Sequence, residues 1–130
     1  MRSVVRTIHL LVAALLVVGL VAQVFLAGLG VFAGPAAFAT HRDFGFLLTA
    51  VPILLLVLGL LGRLGRRPNL LAALVFGQFI LQSVFVAFRA DMPAIAALHP
   101  VNAFLMLLVA LVILWDSWVL RRSAAPATEA

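Results

Sequence analysis

The chain contains no cysteine, so disulfides, thiolate metal sites and thiol chemistry are excluded from the start. Tyrosine and lysine are absent as well. Charge is scarce: nine arginines and four acidic residues make up 10% of the 130 positions, whereas 66% are apolar. A soluble domain is roughly a quarter charged and about half apolar. The shortage excludes a soluble globular protein, a disordered chain and a nucleic-acid binder, even with a formal net charge of +5.

What the chain does have is long apolar runs. A membrane helix needs about 20 mostly apolar residues, each rising about 1.5 Å through a hydrocarbon core about 30 Å thick. Four stretches qualify: about Val4 to Phe32, Ala36 to Leu61, Leu70 to Phe88 and Ile95 to Leu120. Gly34-Pro35, Gly62 to Asn69 and Arg89 to Pro93 separate them, and glycine and proline are the usual punctuation at such places. Short connections make successive helices antiparallel neighbours. The expected fold is an all-α membrane protein, an antiparallel four-helix transmembrane bundle forming one domain over residues 1–122, with 123–130 as a disordered cytoplasmic tail. A cleaved signal peptide over residues 1–39 is the competing reading. Its n-region would hold Arg2 and Arg6, and its cleavage site would be Ala37-Phe38-Ala39. The first run is far longer than the roughly 7–15 residues of a signal h-region.

The arginines orient the bundle. Arg2, Arg6, Arg63, Arg66, Arg67, Arg121 and Arg122 fall on one side, and only Arg42 and Arg89 fall on the other, each near an aspartate (Asp43 and Asp91). The positive-inside rule then puts both termini in the cytoplasm. Trp115 and Trp118 suit an interfacial belt at the inner end of the last helix. Basic residues that are all arginine, together with abundant alanine, read as a GC-rich bacterial composition, and hence as a multi-pass protein of the bacterial inner membrane.

The two hairpins look duplicated. Pro35-Ala36-Ala37-Phe38-Ala39-Thr40-His41 parallels Pro93-Ala94-Ile95-Ala96-Ala97-Leu98-His99. Gln23 precedes His41 by 18 residues and Gln78 precedes His99 by 21, so this alignment needs a three-residue insertion in the second outer loop. Small residues follow each histidine one turn on, Gly45 and Ala103.

Ionisable residues within membrane spans are functional suspects. His41 and His99 stand at the outer ends of alternate helices, at equal depth if the repeat holds, and would face each other diagonally across the bundle. Two such imidazoles can hold a flat tetrapyrrole, one on each face of its iron. Gly45, Ala103, Gly28 and Gly30 would clear space for it. Arg42 and Arg89 would pair with its propionates at the rim. Asn102, one turn past His99, would bond an imidazole or a propionate, and Thr49 would do likewise on the second helix. Taken singly, each histidine also reads as an interfacial residue, and His99 as the start of a helix opened by Pro100. Gln23, Gln78 and Gln82 read as interhelical hydrogen-bonding groups, or as the lining of the cofactor cavity or of a quinone pocket. His9, near the inner face, is expected to bond Asp116 of the last helix. A second metal ligand for His9 is missing. Zinc and di-iron sites lack the clustered ligands they require.

The segments His41-Arg42-Asp43-Phe44-Gly45 and Leu98-His99-Pro100-Val101-Asn102-Ala103 resemble an uncharacterised family of small four-span bacterial membrane proteins, with HR-x-x-G opening helix 2 and LHPVNA opening helix 4. The same plan is similar to one half of haem A synthase, where an HR pair also opens the second helix. That resemblance implies His41 and His99 as axial ligands of a haem b near the outer surface. Two departures stand. The synthase's acidic residue one turn before the histidine is Ala37 here, and its second half is missing, so its oxidation of a haem methyl group is not carried over.

The expected function is therefore a bis-histidine haem b protein that transfers or stores an electron, and a carrier more than a catalyst. A quinol or a respiratory complex would be its partner, and a homo-oligomer fits the composition too. The alternative is a non-catalytic accessory or assembly subunit of a larger membrane complex, for which the alanine and glycine content suits close helix contacts. A proton-coupled exporter is disfavoured because Asp43, Asp91 and Asp116 all sit at helix ends rather than deep in a span.

Overall fold

A computed structural model describes residues 2–123. The elements in chain order are α1 (Arg2–Phe32), a 3-10 turn (Pro35–Ala37), α2 (Phe38–Leu48), α3 (Ala50–Leu61), α4 (Arg66–Ala87), α5 (Pro93–Ala96) and α6 (Leu98–Arg122). They form four runs long and apolar enough to cross a membrane: Ser3–Phe32, Pro35–Leu61, Arg66–Ala87 and Pro93–Arg122. The protein is an all-helical, multi-pass membrane bundle. Of the expected tail, all but Ser123 lies outside the described residues.

Two spans read as continuous in the sequence are interrupted, and proline explains both. Pro52 has no amide hydrogen, so the Leu48 carbonyl loses its ordinary partner. The turn tightens there: the Thr49 N–H is shared between the carbonyls of Gly45 (3.2 Å) and Phe46 (3.3 Å), and its hydroxyl donates to Gly45 at 3.0 Å. Thr49 keeps helical angles (φ −59, ψ −23), so α3 continues the course of α2. Pro100 likewise deprives the Ala96 carbonyl, and α5 passes into α6 through Ala97.

The α3–α4 loop closes with a Schellman pattern, in which Leu64 N–H donates to Gly59 (3.0 Å) and Arg63 N–H to Leu60 (3.1 Å). Arg63 takes the left-handed position usually given to glycine, at φ 49. Gly65, at φ 108, then turns the chain into α4, a conformation that only glycine adopts without strain. Helix α4 consequently starts at Arg66, ahead of the expected Leu70.

The helices pack as a four-membered ring. Helix α1 lies against α6 on one side and against α2 and α3 on the other, and α4 lies against α3 and α6. The diagonal pairs do not come into backbone contact among the described residues. Leu16, Leu55, Val75, Met106 and Ile113 fill the centre and are all but fully buried. Large apolar side chains cover the outside, including Val18, Phe25, Leu47, Leu70 and Phe104. In water this exterior would be an aggregating surface; against lipid it costs nothing.

The ring sets the two ends apart. One gathers the start of α1, the α3–α4 loop and the end of α6, with Arg6, Arg63, Arg66, Arg67, Arg121 and Arg122. There Arg6 Nη1 donates to the Leu120 carbonyl at 3.1 Å, tying α1 to α6. The other end carries Arg42 and Arg89.

Candidate functional site

At the arginine-poor end, α2 and α6 occupy opposite corners of the ring, and each carries a histidine near its start. The His41 and His99 rings face each other with centroids 6.2 Å apart and planes inclined by 66°. Each ring is anchored the same way. His41 Nδ1 lies 3.1 Å from the Gln23 carbonyl of α1, and His99 Nδ1 lies 3.3 Å from the Gln82 carbonyl of α4. A carbonyl oxygen only accepts, so both Nδ1 atoms carry the proton. In the neutral rings, Nε2 is then the atom left with a lone pair. The edge of the Phe38 ring braces His41, with centroids 6.4 Å apart.

The anchors revise the internal alignment. Gln82, not Gln78, is the counterpart of Gln23: the two histidine-to-glutamine bonds span 17 and 18 residues, so the hairpins differ by a single residue and no three-residue insertion is needed. The signal was present in the sequence as a second glutamine one turn beyond Gln78, but backbone carbonyls leave no trace in side-chain patterns.

The remaining predicted site residues divide. Asn102 does not reach an imidazole. Its amide donates to the Gln78 carbonyl at 2.9 Å and approaches the Met106 sulfur at 3.7 Å, tying α6 to α4 one turn below His99. The Thr49 hydroxyl is occupied by the Gly45 carbonyl. Gly45 and Gly30 do not clear empty space. A methyl group at Gly45 would stand 2.5 Å from Gln23 Nε2, and one at Gly30 would stand 2.6 Å from the Phe38 ring. Each glycine therefore admits a neighbouring side chain of the protein itself. Gly28 has nothing within 4 Å of that position. Ala103 is half-buried. At the rim, Arg42 pairs with its neighbour Asp43 at 2.9 Å, and Arg89 Nη1 donates to the Val86 carbonyl at 3.3 Å. Both arginines are exposed and are therefore free to re-pair. The side-chain oxygens of Gln23, Gln78 and Gln82 are buried without a hydrogen-bond partner.

The donor set fits a tetrapyrrole better than a bare ion. No group of three histidine or acidic side chains converges among the described residues, so a lone cation would find two imidazoles and little else. A tetrapyrrole brings four nitrogens of its own and needs only the two axial ones. Nitrogens about 2 Å from a shared metal, with a ring radius of about 1 Å behind each, put the centroids roughly 6 Å apart. The His41 and His99 centroids lie 6.2 Å apart, with the rings meeting edge-on at 66°. The Gln23 amide occupies the space over Gly45.

At the opposite end, the expected His9–Asp116 bond is replaced. His9 is 2% exposed, and its Nδ1 lies 2.8 Å from Ser117 Oγ. The Ser117 hydroxyl donates to the Ile113 carbonyl at 2.6 Å and so accepts from His9. One residue on a helix turns the side chain by about 100°. Ser117 therefore faces α1, while Asp116 faces α4 and pairs with Arg67 Nε at 2.8 Å.

Fold and site together define a small four-span membrane protein with a backbone-anchored imidazole pair at one end. The chain belongs to a family of unknown function (DUF6220), whose model matches residues 23–90, just over half of it. That stretch holds Gln23, His41 and Gln82 and ends ahead of His99. No curated protein and no solved structure matches the chain.

Proposed function

We propose that the protein binds one haem b between His41 and His99 and carries or stores an electron near the outer leaflet of a bacterial inner membrane. The observation that carries this reading is the facing pair of imidazoles 6.2 Å apart, both tied through Nδ1 to backbone carbonyls. In metal-ligating histidines, such a bond fixes the ring's tautomer and orientation and makes the other nitrogen more basic. The resemblance of the HR-x-x-G and LHPVNA segments to one half of haem A synthase supports the same assignment.

The residues then take the following roles. His41 and His99 would hold the group through Nε2. The Gln23 and Gln82 carbonyls hold the rings in place. Arg42 and Arg89, exposed at the rim, pair with propionates, Arg42 by leaving Asp43. Phe38 packs edge-on against His41. When bound, the group would supply a one-electron couple. The excess of arginine at the opposite end supports cytoplasmic termini and an outer-facing site. A quinol or a respiratory complex in the same bilayer would exchange the electron, and a homo-oligomer is compatible with the apolar exterior.

The visible spectrum of protein expressed with haem supplied tests this reading. A Soret band with split α and β bands is expected, lost in His41→Ala and in His99→Ala and retained in His9→Ala. A colourless wild-type protein refutes it. A second reading, an accessory subunit of a larger membrane complex, is favoured by Gly28 and Gly77. Nothing lies within 4 Å of where either Cβ would stand, so a partner helix could approach closely there.

A further inference from the structure

A cavity of about 380 Å³ opens at the arginine-rich end, between the start of α4 and the last turns of α6. It is an open cleft rather than an enclosed pocket. Arg66 and Arg67 border it from α4, and Trp115, Asp116 and Val119 border it from α6. Asp116 is already committed to Arg67 at 2.8 Å. Arg66 has no acidic partner among the described residues. The cavity therefore presents two guanidinium groups against one carboxylate, a net positive lining.

The backbone adds to that charge. Helix α4 begins with these two arginines, has no acidic residue in its first turn and receives no side-chain cap. Cations at the positive end of a helix dipole are unfavourable unless an anion joins them. Trp115 is 63% exposed on its wall, and Leu70 and Leu74 of α4 and Leu108 and Leu111 of α6, at helical spacing from Arg66 and Trp115 and farther along the spans, are exposed as well. A polar, positively charged head space with apolar rails leading from it matches an amphiphile, not a free ion.

We propose that this cavity binds the phosphodiester headgroup of an anionic phospholipid. Arg66 makes the forked contact with the phosphate. Arg67 balances Asp116, so that the carboxylate does not repel the ligand. Trp115 packs at the glycerol level, and the acyl chains follow the exposed leucines. This site is independent of the histidine pair and does not depend on whether haem binds.

The two tryptophans allow a direct test. In a Trp118→Phe protein, Trp115 is the sole fluorophore, and the protein is placed in vesicles containing brominated phosphatidylglycerol or brominated phosphatidylcholine at equal mole fraction. Stronger quenching by the anionic lipid is expected. Arg66→Gln in the same background should weaken that preference about fivefold, the effect of one basic residue near an anionic surface. Arg121→Gln, at the same end but outside the cavity, should leave it in place. Equal quenching by the two lipids overturns the proposal. So does an Arg121→Gln effect as large as that of Arg66→Gln, which would mean a diffuse surface potential. Reversal of the preference by inorganic phosphate would overturn the lipid assignment in favour of a free anion.

Discussion

Replacing Ser117 with alanine isolates the polar contact at the arginine-rich end. The hydroxyl it removes is 2.8 Å from His9 Nδ1, and both residues are all but fully buried, at 1% and 2% exposure. Leaving a buried donor unpaired costs about 1–3 kcal/mol. A change of tautomer does not relieve it, because His9 Nε2 is also buried without a partner. Within a bilayer the unfolded reference state finds partners too, and measured interhelical pairs average about 0.6 kcal/mol with a maximum near 1.7. The expected coupling between His9 and Ser117 therefore lies between those two figures. It is measured as a double-mutant cycle of His9→Ala, Ser117→Ala and the double variant, by reversible denaturation in mixed micelles. The cavity left by His9→Ala cancels within the cycle. A parallel cycle of His9→Ala with Asp116→Ala should show no coupling above about 0.3–0.5 kcal/mol, the scatter of independent sites. The reasoning fails if the Ser117 cycle is additive, or if Asp116 couples more strongly than Ser117.

Other substitutions follow from the same packing. Leu16→Ala, at the fully buried centre, should destabilise the bundle by about 2–5 kcal/mol, whereas Leu15→Ala on the lipid face should stay near zero in the same denaturation assay. Gly45→Ala should displace only the terminal amide of the flexible Gln23 side chain, so its stability change should stay within about 1 kcal/mol, the size of the helix-propensity gain of alanine over glycine. Pro52→Ala should supply the missing donor to the Leu48 carbonyl and slow hydrogen exchange at residues 49–51. Arg67→Ala should change stability by no more than about 1 kcal/mol, because its guanidinium is largely exposed where it meets Asp116.

Much of this molecule was readable in the order of its residues. Apolar length and the glycine and proline breaks determined four spans, and their short connections determined an antiparallel bundle, because a bilayer tolerates few other arrangements of a chain so poor in charge. Arginine placement divided the ends. The matched Pro-to-His spacing singled out His41 and His99, and helix periodicity is regular enough that their facing one another was foreseeable. Tertiary structure alone decided the partners. Gln82 rather than Gln78 anchors His99, because the acceptor is a backbone carbonyl whose direction depends on how α4 and α6 are rotated against each other. Ser117 rather than Asp116 meets His9 for the same reason, one residue being about 100° of helix. Gly45 and Gly30 proved to be seats for Gln23 and Phe38, since a glycine in a sequence announces a close approach but not what approaches. Local sequence fixes where each helix runs, while a side chain's neighbours depend on helix rotation and depth, which are settled by all four helices packing at once.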